Sequence, residues 1–347
     1  MTDWHKVLSN LNTKLSYTEG RSIAIRHGLD LEYSTGEGLA RVNPDVKMSS
    51  WIRMDVLSMS KTITAAGIVR QLLANGLTPQ EKIGPHLPSY WSVHPQVANL
   101  TFAHILTHSG GLVGDQSDFD QLQTLCASKP AGIIGKVSYQ NANYSLLRVL
   151  LAYLASAATL HILEVPFARQ FLSSNTAVIY VENIKTNILK PSGVIHASIG
   201  SENPASGQAE WFKDAAGNLG DQHHPANALL VCGADHWNMN VRDYSRFIAH
   251  LVNGNLSPNP WPTMRDTRAP GAAGAPPIYP NGDARLGVWR FQAPDGTGNF
   301  YGHNGGWSDA FTGWMAFEDG SNVTFFGNST KGPAEQERMI LDSWLNA

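Results

Sequence analysis

Apolar residues at Trp4, Val7, Leu8, Leu11 and Leu15 recur with the spacing of one helix face, which predicts an amphipathic helix at the start of the chain. Two short alternating runs follow, Ser22–Arg26 and Leu31–Tyr33, separated by His27-Gly28 in the manner of a hairpin turn. From Met59 to Ala74 the apolar positions Ile63, Ala66, Ile68, Val69, Leu72 and Leu73 predict a second helix, and Asn75-Gly76 supplies its stop. Residues 78–229 read as helices broken by loops at 85–88, 110–114, 129–135 and 204–220. Within them, the apolar run Val149–Leu163 is interrupted by Ser156, Thr159 and His161, falls short of the ~20 residues that span a bilayer, and is expected to be a buried helix. The tail changes period: Leu286–Trp289, Phe311–Phe317 and Val323–Phe326 read as strands, and Pro333–Leu345 as a closing helix.

Strands at both ends with helices between them predict an α+β fold, in which one antiparallel sheet built by both chain ends is flanked by helices. The expected division is a discontinuous sheet domain, 1–77 with 230–347, and a mainly helical insertion, 78–229.

Composition narrows the partners. The 347 residues are 42% hydrophobic and 15% charged with a formal net charge of -3, so no basic face gathers phosphates and neither nucleic acid nor a membrane is expected as a partner. No basic start followed by an apolar stretch marks an export signal, which sets the expectation of a cytoplasmic protein. Cys126 and Cys232 are the two cysteines, expected as small core residues, with a single disulfide left open.

The candidate chemistry begins at Ser58 and Lys61. Three residues apart at a helix start, they share a face, and the amine can take the proton that turns the hydroxyl into a nucleophile. A Ser-x-x-Lys pair arises by chance in many chains, so its company decides. Tyr139-Gln140-Asn141, just ahead of an apolar helix, offers a phenol to relay a proton and a carboxamide to orient a substrate carbonyl or the lysine. A rival copy, Tyr279-Pro280-Asn281, lies in a Pro/Gly-rich stretch with no helix to fix it. Third comes Tyr301-Gly302-His303-Asn304-Gly305-Gly306 before a strand, where glycines permit close backbone approach and a main-chain amide can join that of Ser58 on one oxyanion. His108-Ser109-Gly110 competes for this role without the strand context.

Other features have plainer readings. His104 and His108 stand four apart on a predicted helix, a metal-ligand spacing without a third ligand, and no metal is expected. His223-His224 and Asp235-His236 read as solvated or pocket-lining residues of a loop-rich stretch. Gly306-Trp307-Ser308-Asp309-Ala310 imitates a nucleophile elbow but lacks the final glycine and the strand-to-helix crossing. Trp237, Trp307 and Phe311 are candidates for the cleft wall.

The three motifs in this order resemble the serine β-lactamase and penicillin-binding protein superfamily, in particular its class C β-lactamase-like and family VIII carboxylesterase-like branch. Similar stretches extend the likeness: Ile105–Leu112, Asn187–Val194 and Val241–Phe247, so that it covers roughly 20–345. The resemblance implies the β-lactamase/transpeptidase-like fold, with Ser58 acylated, Lys61 and Tyr139 moving its proton, Asn141 orienting substrate, and His303, Gly305 and Gly306 forming the third wall, with Gly306 as the second oxyanion amide. The family's third motif often begins with lysine, which holds a substrate carboxylate; His303 at that position disfavours anionic substrates. The expected activity is therefore a carboxylesterase that needs no cofactor and acts on a small ester or amide. The same residues leave open a D-stereospecific peptidase, amidase or β-lactamase, an acyltransferase, and a non-catalytic binding protein; oligomeric state is undetermined.

Overall fold

In the computed structural model the two ends of the chain build one sheet. The structure describes all residues except 1, 17, 43, 201–207, 214–217, 221–226, 269–270, 272–282, 293–297 and 330–335. The N-terminal part gives helix α1 (Trp4–Lys14) and strands β1 (Gly20–His27), β2 (Asp30–Val42) and β3 (Asp45–Lys47). Next come β4 (Arg53–Asp55), the central helix α2 (Ser60–Ala74), and helices α3 (Pro95–Ala98), α4 (Phe102–Leu106), α5 (Phe119–Ala127), α6 (Asn141–Ile162) and α7 (Leu172–Ile184). Strand β5 (Ser198–Ile199), helix α8 (Ala228–Val231), strand β6 (Trp237–Asn240) and helices α9 (Val241–Val252) and α10 (Trp261–Asp266) lead into the tail. The tail holds β7 (Asp283–Arg285), β8 (Val288–Gln292), β9 (Asn299–Trp307), β10 (Ala310–Ala316), β11 (Asn322–Gly327) and helix α11 (Gln336–Leu345).

The large sheet runs β3-β2-β1-β11-β10-β9-β8-β7, antiparallel throughout, and a small sheet runs β4-β6-β5. This is the α+β architecture that the strand distribution predicts, one antiparallel sheet built by both chain ends with helices against it. Alternation along the strands splits the core in two. Ile23, Ile25, Phe311 and Phe325 pack with Val7 and Leu11 of α1 and Ile340 of α11 on one face, while Ala24, Ala310 and Trp314 join α2, α6 and α9 on the other.

Local differences have local causes. His27 pairs with Asp30 around Gly28, whose φ of 56° suits the expected hairpin. Strand β2 runs on to Val42 because its first part, Asp30 to Gly38, pairs with β1 and its last part, Leu39 to Val42, pairs with β3. Leu286-Gly287, expected within one strand, is instead the turn between β7 and β8, with Gly287 at φ 75°. Helix α2 is buried from Ser60 to Val69, Lys61 included, with the hydroxyls of Thr62 and Thr64 donating to the carbonyls of Gly287 and Gly233. The apolar run around Val149 belongs to a longer helix than expected: α6 has 22 residues, long and apolar enough to cross a membrane, yet Leu146–Leu151 are fully buried within the protein. Cys126 and Cys232 are free, buried thiols and do not pair.

Candidate active site

Ser58 is presented by a strained turn. After β4 the chain makes a single 3-10 turn, Leu57–Met59, before α2 begins at Ser60, one residue later than the periodicity predicts. Leu57 sits at φ 52°, a conformation that a non-glycine residue adopts only when its surroundings impose it. The surroundings do so: Asp55 Oδ1 accepts the Leu57 N–H at 2.7 Å, Val56 N–H donates to Trp237 O at 2.8 Å, and Thr312 Oγ1 donates to Val56 O at 2.9 Å. Tyr244 OH adds a bond to Met59 O at 2.9 Å.

Lys61 Nζ donates to Ser58 Oγ and to Ala234 O, both at 2.9 Å. Its ammonium is completely removed from water. Burial therefore lowers its pKa from 10.5 to about 7, against the opposing pull of the Asp235, Asp115 and Asp55 carboxylates. The amine is thus available as a base near neutral pH.

The second motif meets it. Nζ lies 4.9 Å from the centre of the Tyr139 ring, which is 40% exposed. That ring packs against His108 at 4.4 Å and lies 6.2 Å from His303. Asn141 opens α6, its Oδ1 buried and without a hydrogen-bond partner among the described residues.

The third motif lies on β9. His303 Nδ1 contacts Asn304 O at 2.6 Å, so Nδ1 carries the proton and Nε2 does not. Burial, followed by the charge of Lys61, lowers the pKa of this imidazole to about 3, and it is neutral. Gly305 opposes Thr312, and a Cβ there would stand 2.5 Å from Thr312 Oγ1, 2.7 Å from Leu57 Cβ and 2.9 Å from Val56 O. Only glycine lets β9 lie so close to the Ser58 turn. Gly306 faces open space.

Ser58, Lys61, Tyr139 and His303 therefore converge, with Gly305 against the nucleophile turn. Two of the three proposed wall aromatics do not reach the cleft. Trp237 is fully buried with Nε1 donating to Tyr180 OH at 3.0 Å. Phe311 points to the opposite face of the sheet, against Phe325. Their strand parity sends them into the core. Trp307 is 42% exposed at the β9–β10 hairpin, whose two-residue turn confirms that this stretch is no nucleophile elbow.

The histidine pair is also corrected. Helix α4 ends at Leu106, so His104 and His108 do not share a helix face: His104 Nδ1 caps Thr101, while His108, at φ 55°, sits behind Tyr139 with Nδ1 accepting from Gln140 N–H at 3.2 Å. His108 thus belongs to the site's second layer, and so does His236, buried between Asp55 and Asp235 rather than solvated. The one available signal was the position of each next to a motif or a helix end. His223, His224 and the rival Tyr279-Pro280-Asn281 lie outside the described residues. Among the described residues no group of His, Cys, Asp or Glu is arranged to hold a metal ion.

The sequence profile of the Beta-lactamase family matches residues 13–342. The chain belongs to this family. Its members are serine hydrolases of the β-lactamase fold, and the convergence of three motifs on Ser58 is the chain's own form of that arrangement. Similar solved structures include a β-lactamase/D-alanine carboxypeptidase from Pseudomonas syringae, 16% identical with a TM-score of 0.74, covering 99% of this chain and 98% of that one. A D-stereospecific amidohydrolase from Streptomyces sp. is 18% identical, with a TM-score of 0.72 over 99% of this chain and 98% of that one. An octameric penicillin-binding protein homologue from Pyrococcus abyssi is 18% identical, with a TM-score of 0.73 over 98% of this chain and 76% of that one. No curated protein matches the sequence.

Proposed function

We propose that the protein is a carboxylesterase that works through an acyl-enzyme on Ser58. The observation that carries this reading is a buried amine, with a pKa of about 7, held 2.9 Å from the Ser58 hydroxyl. Neutral Lys61 takes the Ser58 proton as Oγ bonds to the ester carbonyl carbon. The oxyanion is held by the amides of Ser58 and Gly306. As the intermediate collapses, the C–O bond to the alcohol breaks and Tyr139 delivers the proton, resupplied from Lys61, to the leaving alkoxide. Water then attacks the acyl carbon by the same route reversed, releasing the acid and restoring Ser58.

The preference for esters rests on His303. A neutral imidazole at the third motif gives no charge partner to the carboxylate of a β-lactam or a peptide C-terminus. A second reading, cleavage of D-configured amides by the same residues, draws on the D-stereospecific amidohydrolase and D-amino acid amidase among the structural neighbours. Ser58→Ala is expected to abolish turnover of a short-chain nitrophenyl ester while leaving the fold intact, and a fluorophosphonate is expected to add to Ser58 in the parent. Activity retained in Ser58→Ala overturns the mechanism. A rate preference of about 10³ or more for a D-aminoacyl amide or a chromogenic cephalosporin over the ester overturns the substrate assignment.

A further inference from the structure

Of the described non-glycine residues with left-handed backbone, Leu57 and His236 are linked by one carboxylate. Leu57 is at φ 52° and His236 at φ 75°. Asp55 accepts the Leu57 N–H through Oδ1 at 2.7 Å and faces His236 Nδ1 through Oδ2 at 3.4 Å. On its other side, His236 Nε2 lies 3.1 Å from Asp235 Oδ1. Asp235 directly follows Ala234, whose carbonyl receives the Lys61 Nζ bond, and His236 O accepts from Gly200 N–H at 2.8 Å. The chain of contacts thus runs from the residue before the nucleophile, through one buried imidazole, to the carbonyl that aims the base.

We infer that His236 is a positioning residue, tying the Ser58 turn to the Ala234 carbonyl by bridging the Asp55 and Asp235 carboxylates. This rests on the hydrolase reading above. The charged groups facing the ring are Asp55 from β4, Asp235 from its own segment and Lys61 from α2. Burial disfavours the imidazolium and Lys61 opposes it, but the two carboxylates prevail and the pKa is raised. The geometry suits an imidazole: its two nitrogens point in opposite directions, Nδ1 toward Asp55 and Nε2 toward Asp235. Loss of the bridge loosens the aim of both Ser58 Oγ and Lys61 Nζ, while the surfaces that contact substrate stay in place.

The test compares His236→Gly, His236→Gln and Asp235→Asn in nitrophenyl ester hydrolysis. Glycine accepts the left-handed backbone at 236 without strain, so His236→Gly removes the ring and leaves the main chain at ease. Its kcat is expected to fall ~100-fold with KM within about twofold, the signature of misplaced reacting groups rather than lost binding. Free imidazole in the assay is expected to restore kcat at least ~10-fold by refilling the gap between the carboxylates. His236→Gln, which reaches one carboxylate but not both, is expected to lose ~10-fold in kcat. Asp235 is partly exposed, so Asp235→Asn keeps the fold should the others fail to reach it, and ~3–10-fold is the expected loss. A kcat within about twofold of the parent in any folded variant, or a His236→Gly loss that imidazole does not reverse, overturns the inference. If the parent labels at Ser58 and turns over while these variants are unaffected, the inference alone falls; if Ser58 never labels, the hydrolase reading falls with it.

Discussion

Replacement of Lys61 by methionine separates stability from activity in a way that only a buried neutral amine explains. In the unfolded chain a lysine binds its proton up to pH 10.5, whereas in the folded protein burial brings that value to about 7. Such a displacement corresponds to about 5 kcal/mol, of which about 4 kcal/mol opposes folding at pH 7, where the folded amine is half protonated. Lys61→Met removes this cost and loses the hydrogen bonds to Ser58 Oγ and Ala234 O. Those losses, with the Ala234 carbonyl left unpaired, return about 2 kcal/mol, so the variant is expected to be more stable than the parent by about 2 kcal/mol at pH 7. The sign of the pH dependence is fixed. Between the two pKa values the unfolded state holds the extra proton, so the parent gains stability with rising pH by about 1.4 kcal/mol per pH unit relative to the variant. At about pH 10 the advantage of methionine is gone and the order is reversed. Urea unfolding followed by tryptophan fluorescence at about pH 7 and about pH 10 measures both differences. Ester hydrolysis by the variant is expected to fall by ~10²–10⁴-fold. A stability difference that is the same at both pH values shows that the folded lysine keeps its proton, and refutes the argument.

The same amine sets the pH profile: kcat/KM is expected to rise through an acidic limb near pH 7 as Lys61 becomes neutral, and a limb near 10 contradicts a base lowered by burial. Gly305→Ala is expected to push β9 off the Val56-Leu57 turn and cost ~10²-fold in kcat/KM, whereas Gly306→Ala, facing open space, unfolds at the same urea concentration as the parent. Equal activity of Gly305→Ala and the parent removes the close-approach argument. Trp237→Phe loses the bond to Tyr180 OH and is expected to cost about 1 kcal/mol in urea unfolding without altering acyl-chain preference. A changed preference would return Trp237 to the cleft wall.

What could be read in advance follows from how local each cause is. Ile23 and Ile25 around Ala24 carry their burial in their own alternation, and the Ser58–Lys61 spacing carries its geometry in helix periodicity. Strands β4, β5 and β6 have three, four or fewer residues and no pattern of their own; pairing partners far along the chain define them. Phe311 and Trp237 are aromatic near a motif, but the face each one takes depends on strand register, and a shift of one residue reverses it. His108 and His236 are harder still. Their left-handed backbone is imposed by tertiary contacts at residues whose type does not announce it, so their entry into the site is visible only in three dimensions.

The burial of Lys61 and the carboxylates around it oppose each other, and the opposition is what makes the lysine useful. Burial without nearby negative charge would drive the pKa further down, leaving an amine too weak to take a serine proton. Carboxylates without burial would keep it near 10.5, protonated and unable to accept. Asp55, Asp115 and Asp235 raise what burial lowers, and the balance falls at about 7, where one group can accept the proton during acylation and give it up on collapse. Asp55 also fixes Leu57 and therefore the direction of Ser58 Oγ. The residue that moderates the base is thus one of those that aim the nucleophile: Asp55→Ala alters both properties at once, whereas Asp55→Asn, whose Oδ1 still accepts the Leu57 N–H, removes the charge alone.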